Sequence, residues 1–182
     1  MLVRRAAIAR LVADAAGVTQ GDRVVDVGCG PGGAVREAAR RGAYVTGVDP
    51  APLMLRLGRY LTRGPLRELV TFRPGTAEQV PLPAESVSVA WSISSAHHWS
   101  DLPAGLRELY RVLAPDGRLV VAERLTRPGA SGLAAHGATE AQADEIMAQA
   151  RAAGFADVRR ETRAAGRRTM VLISGVKVAL AA

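Results

Sequence analysis

Two carboxylates and a run of glycines are the residues of this chain best placed to do chemistry. Residues 24–33 read VVDVGCGPGG, so Asp26 stands two positions ahead of Gly28, Gly30, Gly32 and Gly33. Glycines in such a loop leave the main chain bare, and a ligand can lie directly on it. The spacing of Gly28, Gly30 and Gly33 also satisfies the G-x-G-x-x-G pattern of dinucleotide sites, which by itself does not name the ligand. Asp26 separates the possibilities. A pyrophosphate over this loop is repelled by a neighbouring carboxylate, whereas the α-ammonium and sulfonium of S-adenosylmethionine are attracted to it. A second acid, Asp49, ends the apolar run YVTGVD about 20 residues further on, where an acid can chelate ribose hydroxyls. Asp26 is therefore expected at the methionine end of the ligand and Asp49 at its sugar.

Elements of alternating type must hold these groups. Val24, Val25 and Val27 read as the buried strand before the glycine loop, and residues 44–48, 69–72, 87–92 and 118–122 read as further apolar strands. Between them lie helical stretches at 34–41, 52–61 and 102–113, preceded by a lead-in helix at 2–16 that Gly17 ends. Apolar strands separated by helices imply a parallel sheet covered on both faces, a doubly wound Rossmann-like α/β fold. Residues 124–138 read as a flexible glycine-containing loop. A helix follows at 139–153, with Thr139 and Gln142 as its capping box. Residues 156–163 and 168–178 then flank the turn Ala164–Ala165–Gly166 as a hairpin, which makes one of the last two strands antiparallel. The more apolar run, residues 170–176, is expected to be the inner strand.

The glycine loop with its two acids resembles the class I S-adenosylmethionine-dependent methyltransferases, and in particular their small bacterial single-domain members. The likeness extends from Asp22 to Glu123: GTAEQVPLPAESVSVAWS at 75–92 is similar to the family's adenine-binding turn and fourth strand, and HHWSDLPAGLRELYRVLAPDGRLVVAE at 97–123 to its fourth helix, turn and fifth strand. AGFADV at 153–158 fits as well. The resemblance implies a seven-stranded sheet of order 3-2-1-4-5-7-6 with the seventh strand antiparallel. It implies S-adenosylmethionine as cofactor, leaving S-adenosylhomocysteine, held at Asp26, Gly28, Cys29 and Gly30 on the loop, at Asp49 and Pro50 by the ribose, and at Thr76, Ala77, Glu78 and Ser92 around the adenine and strand end. Relatives often carry an aspartate where Thr76 stands, so the adenine amine is left to a weaker acceptor, with Glu78 or a backbone carbonyl sharing the task.

Methyl transfer from a sulfonium needs an acceptor atom held in line at about 3 Å, and orientation alone lowers much of the barrier. If the acceptor is a hydroxyl, a histidine near the end of the fourth strand can take its proton, worth about 10² to 10⁴-fold. His97 and His98, in SISSAHHWSD, are the candidates, while His136 falls in the loop after the fifth strand. Family members that use a histidine here correspond to His98, with His97 turned towards the cofactor or the fold. Two readings stand side by side: His98 as base, or both rings as pocket wall. Trp99 and Tyr110 are expected in core or wall, and no metal site is expected.

Composition narrows the partners. The chain has 182 residues, with 24 basic and 17 acidic, a formal charge of +7. Such a charge raises the question of nucleic acid. Lys177 is the sole lysine, however, the arginines are scattered, and seven aromatic residues are few for stacking bases. The fourth strand also lacks the Asp/Asn-Pro-Pro-aromatic signature of nucleobase amine methyltransferases, having Ser92 to Ser95 in its place. A small-molecule, lipid or sugar acceptor is expected, with an RNA or protein methyltransferase as the alternative. A nicotinamide-dependent reductase is disfavoured by Asp26 and by the lack of a Tyr-x-x-x-Lys pair, since Ile173 stands four residues before Lys177. A non-catalytic cofactor-binding protein stays open. The lone Cys29 implies no intrachain disulfide and a reducing, cytoplasmic setting. Charges at Arg4, Arg5, Arg10 and Asp14 break the N-terminal apolar runs, so neither a secretory signal nor a membrane span is expected. The length predicts a single domain, 1–182, with a site that is open or completed by another subunit, as in a homodimer.

Overall fold

A computed structural model describes residues 2–129, 132 and 136–179, with backbone alone for residues 2–5. Five of the fifteen residues in the expected 124–138 loop, numbers 130, 131 and 133–135, lie outside that set. The chain runs α1 (Leu2–Ala15), β1 (Arg23–Val27), α2 (Gly33–Arg40), β2 (Tyr44–Asp49), α3 (Pro52–Leu61), α4 (Leu66–Leu69), β3 (Val70–Pro74), β4 (Val87–Ile93), a 3₁₀ turn (Ala96–His98), α5 (Leu102–Val112), β5 (Leu113–Arg124), α6 (Glu140–Ala152), β6 (Ala156–Ala165) and β7 (Arg168–Val176). The strands form one sheet in the order β3-β2-β1-β4-β5-β7-β6. β1 to β5 pair in parallel, and β7 runs antiparallel to both β5 and β6. The expected order and hairpin are thus present, with residues 170–176 on the inner strand.

Both faces of the sheet are buried, because successive side chains of a strand point to opposite sides. Val24, Val89, Trp91, Val120, Ala122, Met170 and Leu172 face α1 and α2 in one apolar layer. Val25, Val27, Ala90, Leu119, Val121, Val171 and Ile173 face α5 and α6 in the other. That is why these strands read as unbroken apolar runs. The free edge at β6 carries Arg159, Arg160, Glu161 and Arg163, exposed charges that discourage pairing with another sheet.

Local differences from the sequence expectation have simple causes. Helix α4 was not expected. It follows Pro65, whose φ of −58° starts a helical turn, and it moves the beginning of β3 to Val70. β7 ends at Val176 because Lys177 turns to the start of β5: its N–H donates to Gly117 O (2.9 Å) and its Nζ to Leu113 O (2.8 Å). The capping box of α6 is formed, with Gln142 N–H donating to Thr139 Oγ1 (3.3 Å) and Thr139 N–H to Gln142 Oε1 (2.9 Å). After β5 the chain is pinned where it is described. Thr126 N–H donates to Ala138 O, and Ala138 N–H donates to Arg124 O, each at 2.9 Å. No helix among the described residues is long and apolar enough to cross a membrane.

Candidate active site

Asp26 sits in β1 between Gly47 of β2 and Trp91 of β4, at the centre of the sheet and one residue short of its C-terminal rim. It is 2 % exposed. Desolvation raises its pKa from the ordinary 3.8 to about 7, with the charge of nearby Asp49 adding to the rise. The Trp91 indole works the other way, favouring the carboxylate, although its N–H makes no well-formed hydrogen bond. No protein cation offsets the Asp26 charge among the described residues. Burying a carboxylate without a cation is costly, and a positively charged group placed beside it would relieve that cost.

The glycine loop is built around β2. Gly28 N–H and Cys29 N–H both donate to Val48 O, at 2.8 and 3.0 Å. Gly28 has a φ of +73°, and a Cβ there would collide with the Ser95 side chain, so only glycine lets the turn after β4 close onto the loop. Asp49 ties the loop to the start of α3: its Oδ2 accepts from Gly30 N–H (2.8 Å) and its Oδ1 from Ala51 N–H (2.9 Å). A carboxylate offers about four acceptor positions, so two are left for hydroxyls. Cys29 is buried, and desolvation pushes its thiol pKa up, which keeps it protonated and unreactive.

The remaining expected residues divide between the cofactor face and the scaffold. Pro50 lies between Asp49 and Ala51, in the span that the Asp49 carboxylate bridges. Ala77 is buried against the α5 side of the sheet. Glu78 points to the N-terminal end of α5, where its Oε1 accepts from Ser100 N–H (2.9 Å) and Asp101 N–H (3.1 Å). Desolvation opposes its charge, but these bonds and one from Thr76 outweigh it and hold the Glu78 pKa below its ordinary value. The Glu78 Oε1 is thereby engaged with backbone, while Thr76 stands beside it. Ser92 is fully buried on β4, and its hydroxyl has no partner among the described residues.

His97 and His98 follow on the 3₁₀ turn. His97 Nδ1 donates to Glu123 Oε2 (2.8 Å), and the other carboxylate oxygen, Oε1, accepts from Ala96 N–H (2.7 Å). Glu123 is fully buried at the end of β5 and was not among the residues expected to matter. In the neutral ring with its proton on Nδ1, the Nε2 of His97 presents a lone pair that is buried and has no partner among the described residues. His98 is exposed, its ring centroid 3.9 Å from that of His97. Desolvation, then the neighbouring rings of His97 and His136, lower its pKa. Trp99 packs against Gly105 of α5, and Tyr110 lies edge-on to Phe155 at 5.1 Å, both wall or core as expected. Lys177 is at the opposite end of the sheet, bound to Leu113 O and Glu85. It has no part in this site.

Fold and site together define a Rossmann-like domain whose loop suits a cationic nucleoside cofactor. The residues fit S-adenosylmethionine: a buried carboxylate without a cation, a loop of bare backbone, and an acid with spare acceptor positions. The profile described as "Methyltransferase domain" matches residues 25–121, more than half of the chain. The chain belongs to the class I S-adenosylmethionine-dependent methyltransferases, and S-adenosylmethionine is its cofactor.

Among curated relatives, it is 39% identical over 107 residues to a demethylmenaquinone methyltransferase of Tropheryma whipplei (strain Twist), covering 59% of this chain and 44% of that protein. It is 34% identical over 117 residues to the 27-O-demethylrifamycin SV methyltransferase of Amycolatopsis mediterranei (strain S699), covering 63% and 43%. The chain thus spans under half the length of these two relatives. Among solved structures, the [4+2]-cyclase SpnF superposes with a TM-score of 0.79 at 22% identity, over 93% of this chain and 80% of that one. A SAM-dependent methyltransferase from Aquifex aeolicus gives 0.76 at 19%, over 93% and 89%. These two establish the fold alone.

Proposed function

We propose that this domain transfers the methyl group of S-adenosylmethionine to a hydroxyl oxygen of a small-molecule, lipid or sugar acceptor, with His98 facing that hydroxyl. The observation that carries the proposal is the position of the two imidazoles. Ser95 packs on the Gly28 turn, so the residues next in sequence, His97 and His98, stand at the rim of the cofactor loop. The cofactor, when bound, supplies an electrophilic methyl. Asp26 holds its positive end, Asp49 its ribose, and the fixed strand ends of β1 and β4 set the line of approach. Orientation of this kind accounts for several kcal/mol of a methyl-transfer barrier.

His97 is the rigid member of the pair, held by Glu123, and His98 is the exposed one, free to meet an acceptor and receive its proton. The relatives named above, among them a 27-O-demethylrifamycin SV methyltransferase, support a small-molecule acceptor. The test is a methyl-transfer screen over hydroxylated acceptors with wild type and His98→Ala. The expected result is a turnover lowered by about 10²-fold or more in the variant with cofactor affinity nearly unchanged, since the lost contact acts in the transition state. Retention of more than about a third of wild-type turnover makes His98 a wall residue and moves the acceptor to a group that needs no proton removed, such as a neutral amine.

A further inference from the structure

His136, 38 residues beyond His98 in sequence, comes back to the same place. Its ring centroid lies 5.9 Å from that of His97 and 5.6 Å from that of His98. One nitrogen from each of the three imidazoles lies within 4.8 Å of the others. We propose that His97, His98 and His136 form a binding site for a divalent transition metal of the zinc type, with Glu123 as the carboxylate behind His97.

The chemistry of the set fits. Imidazole is a preferred ligand for zinc, and three protein ligands with one position left for water or another oxygen is the pattern of open zinc sites. Tetrahedral zinc with nitrogens at about 2.0–2.1 Å places those nitrogens about 3.3 Å apart, so separations that are all within 4.8 Å need to close by no more than about 1.5 Å. The two that must move, His98 and His136, are exposed. The third is already fixed, because the Nδ1–H of His97 is bound to the buried Glu123 at 2.8 Å, which leaves Nε2 as its ligand atom. A histidine whose second nitrogen donates to a carboxylate is the usual arrangement around a bound metal, since it sets the tautomer and raises the basicity of the ligating nitrogen. The hydrogen bonds between Arg124, Thr126 and Ala138 bring the chain before His136 and the chain after it together, which holds His136 at the cluster.

This inference shares its side chains with the proposed acceptor site but does not depend on methyl transfer. The lone pair that His98 offers a hydroxyl is the one a metal would take, so the two uses exclude each other in time.

The experiment uses the whole chain, free of any affinity tag and stripped by a chelator, titrated with zinc chloride by calorimetry and with cobalt(II) chloride by visible absorption, in the absence of cofactor. One zinc per chain, and the intense visible bands of four-coordinate cobalt, are expected. His136→Ala, which alters an exposed side chain, should weaken zinc by more than about 100-fold, and Glu123→Gln by about 10 to 100-fold. Should Glu123→Gln fail to fold, His136→Ala still decides, with S-adenosylhomocysteine binding as the check on its fold. Absence of stoichiometric zinc uptake, or zinc bound as tightly by His136→Ala as by wild type, overturns the site. Either result leaves the cofactor reading intact, because S-adenosylhomocysteine binding is measured separately.

Discussion

Ionising Asp26 in the cofactor-free protein is costly, and that cost can be read twice, in stability and in binding. Its pKa rises from 3.8 to about 7 on folding, which corresponds to roughly 4 kcal/mol as an upper bound. The folded state therefore holds an extra proton between these two values, and stability falls as pH rises through that window. Above about pH 7 the whole penalty is present. Asp26→Asn removes the charge at nearly constant shape, so the variant without cofactor should melt higher than wild type at pH 8 and show little gain at pH 4.

Binding moves in the opposite sense. If the α-ammonium of S-adenosylhomocysteine pairs with the ionised carboxylate, as the proposed site requires, affinity should strengthen as Asp26 deprotonates. For a single group titrating at about 7, affinity should weaken by roughly 25-fold between pH 7.5 and 5.5. Of the groups named around Asp26, the Trp91 indole does not titrate, and desolvation raises the Cys29 thiol away from that range. Calorimetric titration in buffers of different ionisation enthalpy should show a proton released on binding near pH 6. Asp26→Asn should bind weakly with a flat pH profile. A variant that binds S-adenosylhomocysteine as tightly as wild type at pH 7.5, or that is less stable at pH 8, refutes both the buried charge and its pairing with the ligand.

Other outcomes follow from the same geometry. S-adenosylhomocysteine at about 100 times its dissociation constant adds roughly 2.7 kcal/mol, or several degrees in the melting temperature of a chain this size, and NAD adds nothing; stabilisation by NAD alone would sink the cofactor assignment. Asp49→Ala should lower S-adenosylhomocysteine affinity by at least tenfold, as charge-assisted hydrogen bonds worth about 1.5 to 3 kcal/mol are lost, while circular dichroism stays native. An unchanged calorimetric titration would move the ribose elsewhere. Gly28→Ala should abolish cofactor binding and lower the melting point, since the new Cβ meets Ser95 at a positive φ, and native-like binding in that variant would show the turn to be freer than its packing suggests.

How much of the molecule was legible in its sequence depends on the range of the forces involved. The glycine loop with Asp26 before it and Asp49 after β2 was readable because backbone exposure and charge sign act over a few residues. The same holds for the buried strands, whose apolar runs reflect cover on both faces, and for the Thr139 capping box. The unexpected α4 is a one-turn helix, too short to leave a periodic pattern.

What the tertiary structure alone decided are pairings between distant residues. Glu123 follows the apolar run 118–122 and carries no signal of its own in the sequence, yet it is fully buried and orients His97, 26 positions away, because parallel pairing of β4 and β5 brings their C-terminal ends side by side. The sequence offers Glu78, beside Thr76, as one of the groups that could share the adenine amine, and the fold adds that its Oε1 accepts from the backbone amides of Ser100 and Asp101 before α5. In sequence His136 falls in the loop after the fifth strand, and the return of the chain to Ala138 sets it against the other two histidines. Sequence spacing reports which groups share one element, whereas a site assembled from three segments exists only after the sheet has closed and fixed where each strand ends.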